Sequence, residues 1–263
     1  MDLGLKGKRA LVMGGSRGLG RGIAEALAAE GATIALVSRT QPSLDQAALE
    51  IAAKHPGSTV FGIAGDLATP GSVPDAYRAV VERLGGIDIL INNSGGPPPT
   101  SVSGVASEVW RSQFESMVLA IIGLTDLALP AMRSQKWGRI LTIASSGVIQ
   151  PLAAIGISNT LRSALVGWSK TLSADVAADG VTVNMLIPGF IETERLVEID
   201  KVKAQRESKS LDQVAAESKR AIPLGRYGTV EEFGAVAAFL ASAKASYVTG
   251  TLMRIDGGVI RSV

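Results

Sequence analysis

Short apolar runs alternate with longer segments of helical periodicity along this chain, and that alternation restricts the possible folds more than any other feature. Residues 10–13, 33–37, 60–64, 87–91, 139–144, 181–186 and 252–255 are predicted to be strands. Residues 21–30, 44–54, 73–84, 108–133, 159–178 and 230–242 are predicted to be helices. Strands that are apolar throughout and alternate with helices are typical of a parallel sheet covered on both faces. We therefore predict an α/β fold, a doubly wound parallel sheet of about seven strands, with a ligand crevice at the carboxyl ends of the strands.

The length and composition favour one domain. The chain has 263 residues, of which 46% are hydrophobic and 19% charged, so a large core can form. We expect a single domain over residues 1–263. The polar, charge-rich segment 192–220 departs from the composition of the rest. It is either a substrate lid or a solvated helical insertion, and the sequence favours neither.

The residues present disfavour several classes of partner and site. The net charge is +2 and the Lys and Arg residues are scattered, which does not favour nucleic acid as a partner. With no cysteine and a single histidine, His55, we predict no metal site. No uninterrupted apolar run reaches the ~18 residues of a membrane span, and the N-terminus lacks the apolar region of a signal peptide. We expect a cytoplasmic protein with no membrane partner.

A glycine-rich segment follows the first predicted strand and consists of Gly14, Gly15, Ser16, Arg17, Gly18, Leu19 and Gly20. A glycine at 14 permits a tight turn, one at 18 lets the backbone approach a pyrophosphate, and one at 20 lets the next helix pack closely. The N-terminus of that helix presents unpaired N–H groups and a partial positive charge to the anion. Because the segment joins the first strand to the first helix of an alternating chain, it predicts a dinucleotide-binding loop rather than a plain turn.

The residues after the second strand distinguish NAD from NADP. An acidic residue there would bind the ribose hydroxyls and repel a 2′-phosphate. This chain has Ser38 and Arg39 instead, with Arg17 in the glycine-rich loop. Guanidinium groups offer fork-shaped donors to a phosphate. The sequence therefore favours NADP(H) over NAD(H), although Arg39 is also compatible with a plain surface position.

With these segments in place the chain resembles the short-chain dehydrogenase/reductases over essentially its whole length, in particular members of the 3-oxoacyl-carrier-protein reductase type. In chain order the matching motifs are residues 14–20, 66–67, 92–95, 143–146, 183–184, 188–193, 249–250 and 256–258. Each motif is weak alone, but their order and spacing together are specific.

The resemblance implies a set of cofactor contacts and a substrate class. Asp66 and the Leu67 amide would bind the adenine, and Asn92 would stabilise the fourth strand. The remaining residues that would line or bind the cofactor are Asn93, Ser94, Gly95, Pro188, Gly189, Ile191 and Thr193, the last two at the nicotinamide carboxamide. The substrate would be a small-molecule carbonyl or alcohol. The protein would be a homo-oligomer, a tetramer or a dimer, formed through segments 230–242 and 250–263.

The positions of the family's proton chemistry carry other residues here. The family uses a serine, a tyrosine thirteen residues later and a lysine four residues after that. These positions hold Ser145, Ser158 and Arg162, and the matching segment 163–167 fixes the register. Met117 stands where the family has an asparagine. A serine hydroxyl is a far weaker acid than a phenol, and an arginine does not shuttle protons near neutral pH.

Three functions are compatible with this site. The first is a working NADP(H) oxidoreductase, in which Ser145 and Ser158 hold a water and Arg162 stabilises the oxyanion or binds the ribose. The second is an NADP(H)-binding protein without normal turnover, a sensor or a partner subunit. The third is a non-redox activity on an anionic ligand, with Arg162 as its anchor. We expect the first, and fold analogy alone does not decide among them.

Overall fold

The structure is a computed structural model that describes residues 2–152 and 155–263. The strands are β1 Arg9–Met13, β2 Thr33–Ser38, β3 Val60–Ala64, β4 Ile89–Asn92, β5 Gly138–Ile143, β6 Val181–Pro188 and β7 Leu252–Ile255. The α-helices are α1 Gly18–Ala29, α2 Gln41–Lys54, α3 Ser72–Leu84, α4 Ser107–Phe114, α5 Ala120–Ser134, α6 Gly156–Val176, α7 Glu194–Glu207, α8 Leu211–Ala221 and α9 Val230–Ala241. The predicted alternation is confirmed, with element ends shifted by a few residues.

All seven strands form one parallel sheet in the order β3-β2-β1-β4-β5-β6-β7. The chain leaves β1 toward one edge and returns to pair β4 on the other side of β1, so the strand order reverses between these two strands. This is the single-domain doubly wound fold that the sequence predicts. In such folds the ligand crevice lies outside the carboxyl ends of the strands at this reversal.

Both faces of the sheet are buried because the helices divide between them. Val12 of β1 packs with Ile23 of α1 and Phe233 of α9 in one core cluster. The next residue, Met13, packs on the opposite face with Val80 of α3. Successive residues of β1 therefore enter different hydrophobic layers, which explains why the strand is apolar throughout rather than alternating.

The helix predicted over residues 108–133 contains an unexpected turn. Between α4 and α5, residues Glu115–Leu119 form a π-helical turn, and Met117 lies buried within it. By length and composition the whole stretch Ser107–Ser134 could also cross a membrane. However, it connects β4 to β5 and buries Leu124 and Met132 against the sheet, as core helices of such folds do. Its apolar composition is therefore only weak evidence for a membrane span.

The polar segment 192–220 folds into the two helices α7 and α8. Thr193 caps α7 by accepting a hydrogen bond from the Leu196 amide, and Ser210 forms a reciprocal capping box with Gln213 at the start of α8. The segment is helical, which is compatible with both interpretations. It also follows directly from the carboxyl end of β6, so it lies at the edge of the sheet where the crevice is expected.

Candidate active site

The glycine-rich loop has the close approaches that the sequence predicts. Gly14 has a φ of 61°, and Gly18 a φ of 57°, both in the left-handed region. A Cβ atom on Gly20 would lie 2.4 Å from the Gly14 carbonyl oxygen, so only glycine lets α1 start this close to the turn. A Cβ atom on Gly14 would lie 2.5 Å from Nδ2 of Asn93. The loop therefore packs directly on the segment that follows β4.

The N-terminus of α1 is open to a ligand. The helix starts at Gly18, and the Arg17 side chain makes no capping bond to its first amides. A Cβ atom built on Gly18 would lie 3.8 Å from the side chain of Thr193, at van der Waals contact distance. The free N–H groups of this helix end suit a pyrophosphate, and the fold brings Thr193 to the same place.

The three residues predicted to select NADP(H) have different surroundings. Ser38 ends β2, and its hydroxyl is buried without a hydrogen-bond partner in the described part of the chain. Arg39 is exposed. Arg17 forms an ion pair with Glu194 at the start of α7, and both side chains are more than half exposed. Arg17 is therefore held by a carboxylate across the loop, which the sequence did not predict.

The residues expected around the adenine and β4 are largely engaged within the protein. The Asp66 carboxylate accepts a hydrogen bond from the Ala68 amide, which is an Asx turn. Leu67 packs at the edge of the core. Asn92 is fully buried and donates to Thr125 of α5 at 3.0 Å, so it joins β4 to that helix, as expected for a residue that stabilises the strand.

Ser145 and Ser158 both accept a hydrogen bond, which leaves each O–H free to donate. Ser145 follows β5, and its Oγ accepts from the Gly147 amide at 3.2 Å. Ser158 lies in the first turn of α6, is 8% exposed, and its Oγ accepts from Nε of Arg162 at 3.2 Å. Two hydroxyl donors of this kind are suited to hydrogen-bond a carbonyl or alkoxide oxygen.

Arg162 is buried and bonded to the protein's own backbone. Its Nη1 donates to the Ile143 carbonyl at 2.9 Å, and its Nη2 donates to the carbonyls of Ser94 and Gly95 at 3.1 and 3.2 Å. A guanidinium has five N–H groups, and with the bond to Ser158 four hydrogen bonds are already formed. These bonds leave little hydrogen-bonding capacity for a ribose, an oxyanion or an anionic ligand, and the role of Arg162 toward any of them stays a prediction.

The charge of Arg162 is not neutralised by a carboxylate within the described residues. Burial, and then the positive charge of Arg195, lower the pKa of Arg162 to about 10, so the group stays protonated at neutral pH. A buried cation without an anionic partner projects a positive field into its surroundings. Arg162 therefore contributes electrostatics to the site even though most of its N–H groups are occupied.

Arg195 is a site residue that the sequence reasoning missed. It lies in the first turn of α7 and donates through Nη2 to the Pro97 carbonyl at 2.9 Å, which links the segment after β6 to the segment after β4. Its Nη1 lies 3.1 Å from the carboxylate of Glu198. The only sequence signal was its place two residues after Thr193 within the polar segment 192–220.

Asn159 was also missed. Its Oδ1 is buried without a partner in the described part of the chain, while Nδ2 donates to the Leu152 carbonyl. A Cβ atom built on Gly147 would lie 2.1 Å from this Oδ1 and 3.5 Å from Oγ of Ser145. The Asn159 amide and the Ser145 hydroxyl therefore flank the same point, and glycine at 147 leaves room for both.

The segment after β6 closes the crevice on its other side. Pro188 ends the strand, and Gly189 approaches the backbone of Asp256 so closely that a Cβ atom would lie 2.6 Å from its Cα. Ile191 is buried and pairs with Gly228 in an isolated parallel bridge. The Thr193 hydroxyl donates to the Ile191 carbonyl while it caps α7. These contacts fix the backbone of the segment that, by the family resemblance, is expected to contact the nicotinamide.

Known proteins are similar to this chain in sequence over nearly all of its length. The family model described as enoyl-(acyl carrier protein) reductase matches residues 14–260. The chain belongs to the short-chain dehydrogenase/reductase family. The NADPH-dependent reductase BacG of Bacillus subtilis is 32% identical over 97% of this chain and 99% of that protein. The 3-oxoacyl-(acyl-carrier-protein) reductase FabG of Aquifex aeolicus is 33% identical over 98% of this chain and 100% of that protein.

A solved structure is equally similar. L-sorbose reductase from Gluconobacter frateurii, in complex with NADPH and L-sorbose, superposes with a TM-score of 0.94 at 34% identity over 100% of both chains. The names of this structure and of BacG specify NADPH, in agreement with the prediction that NADP(H) is favoured over NAD(H). The likeness to 3-oxoacyl-carrier-protein reductases is also confirmed.

The three tyrosines of the chain lie away from Ser158. The Tyr77 hydroxyl donates to the Leu127 carbonyl, the Tyr227 hydroxyl to the Asp200 carboxylate, and Tyr247 is fully exposed. The guanidinium of Arg162, bonded to Ser158, occupies the interior between α6, β5 and the segment after β4. No phenol replaces the one that the family resemblance leads us to expect at position 158.

Proposed function

We propose that this protein is an NADP(H)-dependent oxidoreductase that acts on a small-molecule carbonyl or alcohol, with Ser158 and Arg162 in place of the usual tyrosine and lysine. One observation carries the proposal. The glycine-rich loop, Asn93 and Thr193 meet at the open N-terminus of α1, with a spacing that a single Cβ atom on Gly20 would destroy. Such close backbone packing at a helix N-terminus suits a pyrophosphate.

The residues assigned to the cofactor fit a dinucleotide. Bound NADPH would supply the hydride. Arg17, Ser38 and Arg39 would hold the 2′-phosphate, and Arg17 would exchange Glu194 for it. Asp66 and Leu67 would contact the adenine, and Ser94, Gly95, Pro188, Gly189, Ile191 and Thr193 the nicotinamide half. The segment 192–220, which α7 and α8 form, would cover the substrate as a lid.

Ser145 and Ser158 would bind the substrate oxygen. Oγ of Ser145 already accepts a hydrogen bond from the Gly147 amide, and Oγ of Ser158 accepts one from Nε of Arg162. The O–H of each serine would therefore donate to the substrate oxygen. The positive charge of Arg162 polarises the Ser158 O–H further and stabilises negative charge that develops on the substrate oxygen. Arg162 would thus act through Ser158 and through its field.

The proton would come from water. An alkyl hydroxyl is too weak an acid to release its own proton near neutral pH, so Ser158 relays rather than supplies it. The Oδ1 atom of Asn159 lies buried near Ser145 with no partner among residues 2–152 and 155–263, and it would accept a hydrogen bond from such a water. Positioning and electrostatics would then account for most of the rate, with a smaller share from acid catalysis.

The test measures cofactor binding and turnover separately. NADPH affinity is measured by calorimetry, and NADPH oxidation is followed with oxoacyl, keto-sugar and diketone substrates. Gly20→Ala is expected to abolish binding, because its Cβ would meet the Gly14 carbonyl at 2.4 Å. Gly167→Ala is the control, since its added Cβ meets nothing within 4 Å on helix α6. If the wild-type protein bound neither NADPH nor NADH, the proposal would be wrong.

The absence of a phenol beside Ser158 favours one alternative, an NADP(H)-binding protein that serves as a sensor or a partner subunit. Tight NADPH binding with no oxidation across the whole substrate panel would support it. We propose a homo-oligomer and a cytoplasmic location for either function. Exposed apolar side chains along α4 and α5, among them Val109, Phe114 and Leu127, support the oligomer, whereas α9 mostly packs against α1.

A further inference from the structure

Two guanidinium groups hold the short segment that follows β4 from opposite ends. Arg162 binds the carbonyls of Ser94 and Gly95 from the protein interior, and Arg195 binds the Pro97 carbonyl from α7. Gly95 and Gly96 between them are exposed and carry no side chain. A Cβ atom on Gly96 would lie 3.6 Å from Nη2 of Arg195. The mouth of the crevice is therefore lined by bare backbone and by positive charge.

The two arginines differ in what they can offer to a ligand. Arg162 is 7% exposed and its hydrogen bonds are nearly all used within the protein. The Arg195 side chain is 40% exposed, and only Nη2 is fixed, on the Pro97 carbonyl. Nη1 faces Glu198, whose side chain is 54% exposed and stands three residues along the same helix. Arg195 is therefore the one of the two that can reach a substrate.

The contact between Arg195 and Glu198 is easily exchanged. Exposed ion pairs at this spacing on a helix contribute little to stability, because solvent screens them and both side chains lose freedom. A substrate carboxylate held in the crevice gains a charge-assisted hydrogen bond with less competition from water. Nη1 of Arg195 already donates to a carboxylate oxygen of Glu198 at 3.1 Å, so this edge of the guanidinium can bind a carboxylate.

We infer that the substrate is an oxo acid, or the matching hydroxy acid, and that Arg195 binds its carboxylate in place of Glu198. The carbonyl carbon would lie toward Ser145 and Ser158, with the carboxylate toward α7. Arg162 would not contact the carboxylate, but its buried charge would favour an anion in the same crevice. This inference rests on the proposed oxidoreductase function and specifies the substrate class of that site.

The test compares acids with their methyl esters. NADPH oxidation is measured with 2-oxobutanoate, 3-oxobutanoate and 4-oxopentanoate and with the methyl ester of each. For the acid that reacts best, wild-type protein should show a kcat/KM at least about tenfold above that of its ester. Arg195→Gln should remove this preference by raising KM for the acid, and Arg195→Lys should restore part of it. Arg78→Gln is the matched control and should change neither value, because Arg78 forms an exposed pair with Asp75 at the same spacing on α3, outside the site.

A second variant predicts a change in the opposite direction. Glu198→Gln removes the internal competitor for Nη1 of Arg195, so KM for the acid should fall by about twofold, the size expected for an exposed pair. The ester should be unaffected. If esters reacted as well as acids, or if Arg195→Gln slowed both substrates equally, the inference would be wrong and Arg195 would only position the segment after β4.

Failure of the inference and failure of the proposed function are distinguished by binding. Pentanoate and pentanamide are titrated into the NADP⁺-loaded protein, with no reaction required. Pentanoate should bind and pentanamide should not, and Arg195→Gln should abolish the difference. If no carbonyl compound is reduced but this difference persists, the oxidoreductase proposal fails while the carboxylate site stands. Equal binding of the two compounds by wild-type protein would overturn the site itself.

Discussion

Replacing Arg162 with methionine is expected to weaken both the fold and the cofactor site. Methionine fills similar space but cannot donate to the carbonyls of Ile143, Ser94 and Gly95. Ile143 and Ser94 are buried, so each unsatisfied carbonyl costs ~1–3 kcal/mol. Gly95 is exposed, and water can replace its donor. Removing a buried charge that pairs with no carboxylate of the described chain offsets part of this cost. We expect a net loss of about 2 kcal/mol.

Arg139 provides a matched control for this prediction. It is 2% exposed and, like Arg162, donates to three backbone carbonyls, here those of Gly138, Gly180 and Ser242. However, it stands at the amino end of β5, whereas Ile143 stands at the carboxyl end. Arg139→Met should therefore cost a similar free energy of unfolding without altering the cofactor crevice.

The two variants are compared by urea unfolding, followed by far-ultraviolet circular dichroism at one protein concentration, and by calorimetric titration with NADPH. Both should unfold at lower urea concentration than the wild type. Arg162→Met should also bind NADPH at least about tenfold more weakly, because Ser94 and Gly95 are no longer held. If Arg162→Met behaved like the wild type in both assays, or if Arg139→Met lost as much NADPH affinity, the structural role assigned to Arg162 would be refuted.

Three further predictions concern proton donation, cofactor selection and pH. Ser158→Tyr combined with Arg162→Lys should raise NADPH oxidation by about a hundredfold, because it supplies a phenol and a matching ammonium. A double variant that binds NADPH but stays inert would show that the site has diverged at further positions. Arg39→Gln should weaken NADPH binding by about tenfold and leave NADH binding unchanged, as measured by calorimetry. Burial alone would raise the pKa of Asp88, but hydrogen bonds and the charge of Arg9 outweigh it and hold that pKa below the usual 3.8. The pair therefore stabilises the fold at neutral pH. In urea unfolding, Asp88→Asn should cost about 2 kcal/mol near pH 7, and this cost should shrink as the pH falls below 3.8.

The strands and helices could be predicted because their signals are local. Each strand is a run of apolar residues, and the helices between them have a regular period, so neighbouring residues suffice. The glycine-rich loop is equally local, and its close approaches agree with the roles expected of Gly14 and Gly20. The pattern of alternation then implies the parallel order of the sheet.

The partners of charged side chains could not be predicted, because they depend on distant segments. Arg162 binds the Ser94 carbonyl 68 residues away, and Arg17 pairs with Glu194 177 residues away. Sequence spacing correctly placed Ser158 and Arg162 on one helix face, where they do hydrogen-bond. It gave no indication that the other guanidinium N–H groups are used by the backbone. Arg195 was missed for the same reason, since its contact with Pro97 joins residues 98 positions apart.

The residues at 158 and 162 depend on each other, so we expect that tyrosine and lysine can be restored there only in combination. A guanidinium reaches Ser158 Oγ and three carbonyls at once, whereas an ammonium has three N–H groups and no planar fork. Lysine at 162 alone would leave a void beside a small serine and an unsatisfied carbonyl. Tyrosine at 158 alone would collide with Nε of Arg162, which lies 3.2 Å from the present hydroxyl. Each single change is therefore costly, and the double variant should lose less stability than the sum of the losses of the two single variants.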